Sequence, residues 1–480
     1  MLARELKRLG RHSVIYGVGG LVSRILAVLL LPLYTAYLTR ADYGRVETLT
    51  AASTVLVIVL RMGVSSAFFR YYFDFKEPAQ RLVVVRTSFW FTMTMATAGL
   101  LAGLVFAEPI SHALQLGDQP GLVRAAAVGL WAQMNYEQLT SLFRVEERST
   151  AFASASIANV LITVGATVVL VVGFHEGALG LIVGNFLGTL CVWIALVGYR
   201  REQLGLQFDR ELLRSMQRFG MPLVPSALAL WGINFIDRIF VAVYKGQGEV
   251  GVYSAAIKIS SAIVFLMIAF RTAWPAFAYS IEDDREARRT YAFVLTYLLA
   301  ILSWAALALG ALAPWVTALL TAPRFQRAEE AVAVLSFAGV AYAGYTVLAI
   351  GSGRARRTQL NWVVTGFGAA VNVGLNFWLI PAYGMVGAAI STLISYIVLF
   401  IGMTTYAQAI YRVPYQWRRV LTATGVAVAL TVLARGLDAP FALSVLVVAA
   451  YPLALAALGF YLPAERRRFR HIARASARGT

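Results

Sequence analysis

Ionisable side chains inside long apolar stretches are the groups of this chain best placed to do chemistry. Arg24, Arg61, Lys258 and Arg271 are cationic, Glu137 and Asp237 are the clear acids, and Arg238 adjoins Asp237. A charge at the centre of a bilayer costs at least ~2.5–3.5 kcal/mol, so each is expected to face a cavity or a partner. The Asp237-Arg238 pair reads as structural or coupling, each member reaching a neighbouring helix. Arg271 reads as a snorkelling anchor or as a guide at a site entrance. Arg24, Arg61 and Lys258 outnumber the acids that could neutralise them, and positive charge in excess at depth suits an anionic ligand. Arginine suits phosphate because its planar fork donates two hydrogen bonds at once.

The elements that must hold these groups are apolar spans. The chain is 59% hydrophobic and 14% charged, with mean hydropathy +0.69, whereas a soluble chain carries ~25% charge. About fourteen stretches are long enough to cross the hydrocarbon core as helices. They fall at 14–38, 47–69, 82–107, 124–143, 151–173, 177–199, 219–244, 250–274, 290–313, 329–350, 359–380, 384–406, 420–436 and 440–461. The expected fold class is an all-α polytopic membrane protein. The basic start, Arg4 to Arg11, is followed by an apolar stretch too long for a signal-peptide core, so it is read as an uncleaved first helix.

The net charge of +18 is spread over alternate loops and does not form one patch, which argues against a nucleic-acid partner. Counting alternate segments from the N-terminus, one set holds 29 Lys/Arg and the other 7. The positive-inside rule then places both termini on the cytoplasmic side of the membrane. The chain also repeats. Gly177-Ala-Leu-Gly180 matches Gly384-Met-Val-Gly387 at an offset of 207, which also pairs Gly44 with Gly251. A duplicated six-helix unit is implied, with the copies related by an axis along the membrane normal. The expected organisation is an N-lobe at 1–206, a C-lobe at 207–411, two further helices at 412–462 and a basic tail at 463–480. Pro32 lies in the first span, and Pro222 and Pro225 lie in the seventh, the first helix of each lobe. Proline removes a helical hydrogen bond, so both helices are expected to bend, in a structural or coupling role.

Other chemistries find little support. No interspan segment is long enough to form a catalytic domain, so no enzyme and no cofactor is expected. His12, His112, His175 and His471 are scattered, with no metal spacing. The acidic run Glu282-Asp283-Asp284 reads as a solvated face. Gly17-x-Gly19-Gly20 lies inside an apolar helix and suits helix packing, not phosphate cradling. A P-loop is absent, and the lone Cys191 allows no intrachain disulfide.

Three segments carry a resemblance. They are Leu30-Leu-Pro32-Leu-Tyr-Thr-Ala-Tyr-Leu-Thr-Arg-Ala-Asp42-Tyr43-Gly44, the run from Phe219-Gly-Met-Pro222 to Asn234-Phe-Ile-Asp237-Arg238, and Val250-Gly251-Val-Tyr253-Ser-Ala-Ala-Ile-Lys258. Together they resemble the bacterial polysaccharide-unit flippases of the multidrug/oligosaccharidyl-lipid/polysaccharide exporter superfamily. The resemblance implies two six-helix lobes plus two helices, alternating access, and a cationic cavity. Its implied cargo is an undecaprenyl-pyrophosphate-linked oligosaccharide for O-antigen, capsule or exopolysaccharide assembly. Implied partners are this lipid-linked sugar, membrane lipids, and polysaccharide polymerase and glycosyltransferases. Arg24, Arg61 and Lys258 would bind the headgroup and Arg271 would guide its entry. Ser23-Arg24 also resembles lipid II flippases, which leaves that cargo open. Alternatives are a cation-coupled small-molecule exporter centred on Glu137 and Asp237, and a membrane glycosyltransferase or polymerase.

Overall fold

The computed structural model describes residues 25–463 apart from 27 and 358; Arg24 and the basic tail beyond 463 lie outside the described residues. The described elements are all helical, and ten of them are long and apolar enough to cross a bilayer. The long helix Asn361–Ile410 is really two limbs, because Gly384 breaks it with φ 57° and ψ −132°. Phe441–Ala457 is a shorter apolar helix, and the polar fourth span forms an unbroken helix at Pro120–Val145. With the partly described first span, this is the polytopic all-α bundle of about fourteen spans that hydropathy implies. Large side chains such as Trp378 and Leu421, 80% and 69% exposed, face outward, as lipid contact permits and water does not.

The chain forms two compact units. The first comprises residues 1–258, 320–328 and 362–395. Its helices are α1 (Leu31–Tyr37), α2 (Arg40–Arg61), α3 (Val64–Asp74), α4 (Pro78–Val105), α5 (Ala107–Ala113), α6 (Pro120–Val145), α7 (Ser149–Val168) and α8 (Gly177–Arg200). There follow α9 (Arg210–Gly220), α10 (Val224–Lys245), most of α11 (Gln247–Ser260) and residues 362–395 of the long helix. Helix α6 packs against α4 and α8, and α2 packs against α10. An aromatic-rich core of Phe68, Phe89, Phe91, Leu142, Phe143 and Met216 joins them.

The second unit comprises 259–319, 329–361 and 396–480. It holds α12 (Ala262–Ser280), α13 (Asp284–Ala311), most of α14 (Ala313–Leu320), α15 (Glu329–Arg354), residues 396–410 of α16 (the long helix Asn361–Ile410), α17 (Trp417–Gly436) and α18 (Phe441–Ala457). Helix α17 turns small residues, Ala423, Ala427, Thr431 and Ala434, toward the core. Small side chains let helices approach closely in lipid, where no hydrophobic force drives them together. The acidic run starts α13: Asp283 accepts from the Glu286 amide at 2.8 Å, and Asp284 pairs with Arg288 at 3.0 Å and Arg354 at 3.2 Å.

Two expected spans are interrupted. The 47–69 span starts earlier, at Arg40, and is cut at Met62 and Gly63, whose φ values are 47° and 73°. There the Gly63 backbone meets that of Gly220: a Cβ on either would lie within 2.3 Å of the other's carbonyl. The 250–274 span is cut at Ser261, between α11 and α12. The prolines sit at helix starts. Pro32 is in the first turn of α1, and Pro225 is in the first turn of α10. Pro222 lies in the 3₁₀ turn Met221–Leu223 that separates α9 from α10.

The 207-residue repeat is written into the backbone of the first unit. Gly177 and Gly384 both take the left-handed conformation, with φ 56° and 57°. The Asp42 carboxylate lies nearest Gly177, and the matching acid, Glu249, lies nearest Gly384. Gly44 and Gly251 touch each other. A Cβ on Gly44 would sit 1.8 Å from the Gln247 carbonyl oxygen, and one on Gly251 would sit 2.1 Å from that of Arg40. Gln247 and Arg40 are themselves repeat mates, so the contact is isologous about a pseudo-twofold axis. Gly44→Ala is therefore expected to destabilise by about 1–3 kcal/mol, since backbone and not side chain must give way. Gly425→Ala, with nothing within 4 Å, should be neutral or stabilising. Melting of the two purified variants in detergent against the parent checks the contrast.

Candidate functional site

The site is built on the start of α2. Thr39 caps this helix, accepting from the Asp42 amide at 3.1 Å and donating to its carboxylate at 2.6 Å. The cap sets the phase of the helix, so that Tyr43, Gly44 and Glu47 lie along one side. Gly44 admits α11 to backbone contact, and Glu47, one turn further, is carried to the cations of the second half. The Glu47 carboxylate lies 2.8 Å from Lys258 Nζ and 3.7 Å from Arg238 Nε. Its side chain is 13% exposed. Lys258 also lies 4.8 Å from the centre of the fully buried Tyr43 ring.

Asp237 completes the cluster. It accepts from the Tyr253 hydroxyl at 2.5 Å and from the Arg238 amide at 2.8 Å. The Arg238 guanidinium donates to the Asn234 carbonyl at 2.7 Å and lies 3.4 Å from Asp237. Two acids, two cations and two tyrosines thus form one network across α2, α10 and α11. Two polar ties flank it: Thr48 donates to Gln247 at 2.9 Å, and Trp231 donates to the Ala51 carbonyl at 2.9 Å. The three segments that carry the resemblance all contribute to it.

A second pair lies nearer the other end of α2. Arg61 donates to Glu137 at 2.7 Å, and Gln133 donates to the other carboxylate oxygen at 2.9 Å. Glu137 and Gln133 line a cavity of about 310 Å³ with Thr50, Ser53, Thr54 and Asn185. This partly open cavity lies between α2, α6 and α8, and Val46, Leu49, Val57, Ile58, Ile182 and Phe186 complete its lining.

Of the residues singled out from sequence, the structure brings Asp237, Arg238 and Lys258 together. Arg61 and Glu137 form the separate pair. Arg271 belongs to the second unit, where it is exposed and lies 5.8 Å from the centre of the Tyr342 ring. Arg24 lies outside the described residues. Glu47 was missed, although it joins the network. It stands at the edge of the 47–69 span, where a charge reads as a boundary residue; the helix begins two turns earlier. The usable signal was Thr39-x-x-Asp42, a capping pattern that places the helix start before Glu47.

A bundle of long apolar helices enclosing a buried, hydrogen-bonded charge network defines a multi-pass membrane protein. The chain belongs to the polysaccharide biosynthesis protein family, whose model matches residues 36–330. It is 22% identical to the lipid III flippase of Escherichia coli (strain K12) over 427 residues, 80% of this chain and 92% of that one. Among solved structures, it matches a lipid II flippase in an inward closed conformation with TM-score 0.73 and 11% identity, covering 93% of this chain and 98% of that one. It also matches an inward-facing multidrug-resistance transporter with TM-score 0.65 and 15% identity, covering 81% and 97%. These two structures share the fold.

The network has a direct energetic consequence. Removing the Glu47 charge takes away the carboxylate that Lys258 and Arg238 share, so Glu47→Gln should cost about 3 kcal/mol. Lys258→Met added to Glu47→Gln should recover part of that loss, because the second cation is gone. A double-mutant cycle on melting in detergent tests this; additive effects would show that the two side chains are not coupled.

Proposed function

We propose that this protein moves an undecaprenyl-pyrophosphate-linked oligosaccharide from the inner to the outer leaflet of the cytoplasmic membrane, for surface polysaccharide assembly. The observation that carries this reading is the network at Glu47, in which one first-half carboxylate holds two second-half cations. A pyrophosphate is a stronger anion than the carboxylate it displaces. It would draw Lys258 and Arg238 away from Glu47 and so loosen the tie between α2 and the helices that oppose it. Release of the cargo would restore the pair. Binding energy is thereby tied to the movement of one half against the other, which is alternating access. Arg61 would act in the same way through its exchangeable partner Glu137, with Arg24 and Arg271 as further headgroup contacts. Family membership and similarity to the lipid III flippase support the cargo class, and the basic bias of alternate loops supports cytoplasmic termini.

A specific observation also favours a second reading, cation-coupled export. Glu137 lines the 310 Å³ cavity together with the polar side chains of Thr50, Ser53 and Asn185, and a carboxylate with such neighbours could exchange its Arg61 partner for a cation.

Lys258→Ala is expected to reduce transport at least ~10-fold at normal membrane levels, because Arg238 still neutralises Glu47. Arg61→Ala should behave alike, since Gln133 still satisfies Glu137. Complementation of strains lacking an O-antigen-unit flippase, and separately of strains depleted of the lipid II flippase, reads both activity and cargo. Full activity of both variants would remove these cations from the transport site. Loss of drug efflux in Glu137→Gln, with glycan export intact, would favour the second reading.

A further inference from the structure

A second basic feature lies in the second unit, on residues that the transport reading does not use. Three helix termini meet there: the start of α13, the end of α16 and the start of α17. Between them is a groove of about 930 Å³. Arg285, Arg288 and Arg289 line it from α13, Arg412 from the segment after α16, and Tyr415 and Trp417 from the approach to α17. No acidic side chain is among its lining residues. Arg285 and Arg289 are one helical turn apart, on one face.

Its walls are built before any ligand arrives. Arg288 is tied to Asp284 at 3.0 Å and donates to the Arg412 carbonyl at 2.8 Å, fixing the loop to α13. Gln408 grips the same loop twice, donating to the Val413 carbonyl at 2.7 Å and accepting from its amide at 2.9 Å. Tyr411 donates to Asp284 at 2.7 Å. Against these ties, the side chains of Arg285, Arg289 and Arg412 are exposed and have no ion-pair or hydrogen-bond partner among the described residues. Tyr415, 8% exposed, has a buried hydroxyl with no hydrogen-bond partner.

We propose that this groove is a phosphate-binding site, with the anionic headgroup of a membrane lipid as its ligand. Three unpaired guanidinium groups converge on one concavity, where each can fork two hydrogen bonds to phosphate oxygens. The groove opens at span ends, the depth at which headgroup phosphates lie, and Trp417 sits where an interfacial indole is favoured. The loops that form it belong to the basic set, which faces the leaflet rich in anionic lipid. The site is distinct from the Glu47 network and does not depend on which cargo is moved.

The test uses the full chain in detergent, titrated with dioleoylphosphatidylglycerol and, as zwitterionic control, dioleoylphosphatidylcholine. Retained lipid is read by native mass spectrometry and stabilisation by melting. The parent should retain phosphatidylglycerol selectively. The triple variant R285Q/R289Q/R412Q should bind it roughly 100-fold more weakly, about five-fold per arginine, with unchanged melting in the absence of lipid. The matching lysine triple should lose less, because charge survives and the fork does not. Displacement of the lipid by excess inorganic phosphate would locate recognition in the phosphate itself, and failure to displace it in the lipid-borne diester; either supports the site. Should the triple variant not fold, R412Q alone, on the exposed loop, should still lose about five-fold. Equal retention of phosphatidylglycerol by parent and variants would overturn the proposal.

Discussion

A charge removed from water must find its opposite, and the first unit is organised around that requirement at Glu47. One carboxylate stands between Lys258 and Arg238, at 2.8 and 3.7 Å. Such distances are reached only if the helices bearing these groups come unusually close. Gly44 and Gly251 make this possible by letting backbone touch backbone. Tyr43 and Tyr253, both fully buried, close the surroundings and meet the charged groups with a ring face and a hydroxyl. Glycines, tyrosines and charges in the three recognisable segments are therefore one device. The small residues create the approach, and the charges exploit it.

The 207-residue offset relates parts of the scaffold but not the charges. Gly44 and Gly251, Gly177 and Gly384, and Asp42 and Glu249 keep equivalent geometry across the 207-residue offset. At the same offset, Glu47 corresponds to Ser254, Lys258 to Ala51 and Arg238 to Leu31. The acid survives only in the first half and the cations only in the second. A symmetric scaffold carrying an asymmetric ion-pair network has a built-in attraction between its halves. An anion that competes for the cations can switch that attraction off, which a symmetric or purely apolar seam could not offer.

The two basic features of the molecule differ in how their charge is treated. In the Glu47 network, Lys258 and Arg238 already have acid partners, so under the proposed function an incoming anion would displace a carboxylate. In the groove of the second unit, the arginines are held open by hydrogen bonds among their neighbours, so binding costs little rearrangement. The first arrangement suits a cargo that is taken up and released. The second suits an anion that stays. Arg288 shows the division within one helix turn: it is spent on Asp284 and the Arg412 carbonyl, which leaves Arg285 and Arg289 available.

Much of the architecture was legible in the sequence, because the bilayer imposes simple rules. Backbone amides need partners in hydrocarbon, so apolar runs of about twenty residues become helices, and the glycine offset marked positions of equivalent backbone geometry. Breaks at Met62-Gly63 and Ser261 were not legible, since they follow from where neighbouring backbones press, as Gly220 does on Gly63. The site divided in the same way. That Arg61, Glu137, Asp237, Arg238 and Lys258 are embedded charges could be read from hydropathy alone. Which acid answers which cation could not, because ion pairing depends on distances of a few ångströms between residues far apart in the chain. Glu47 has no distinguishing mark in one dimension. Only the crossing of α2 with α10 and α11 makes it the residue on which the other charges depend.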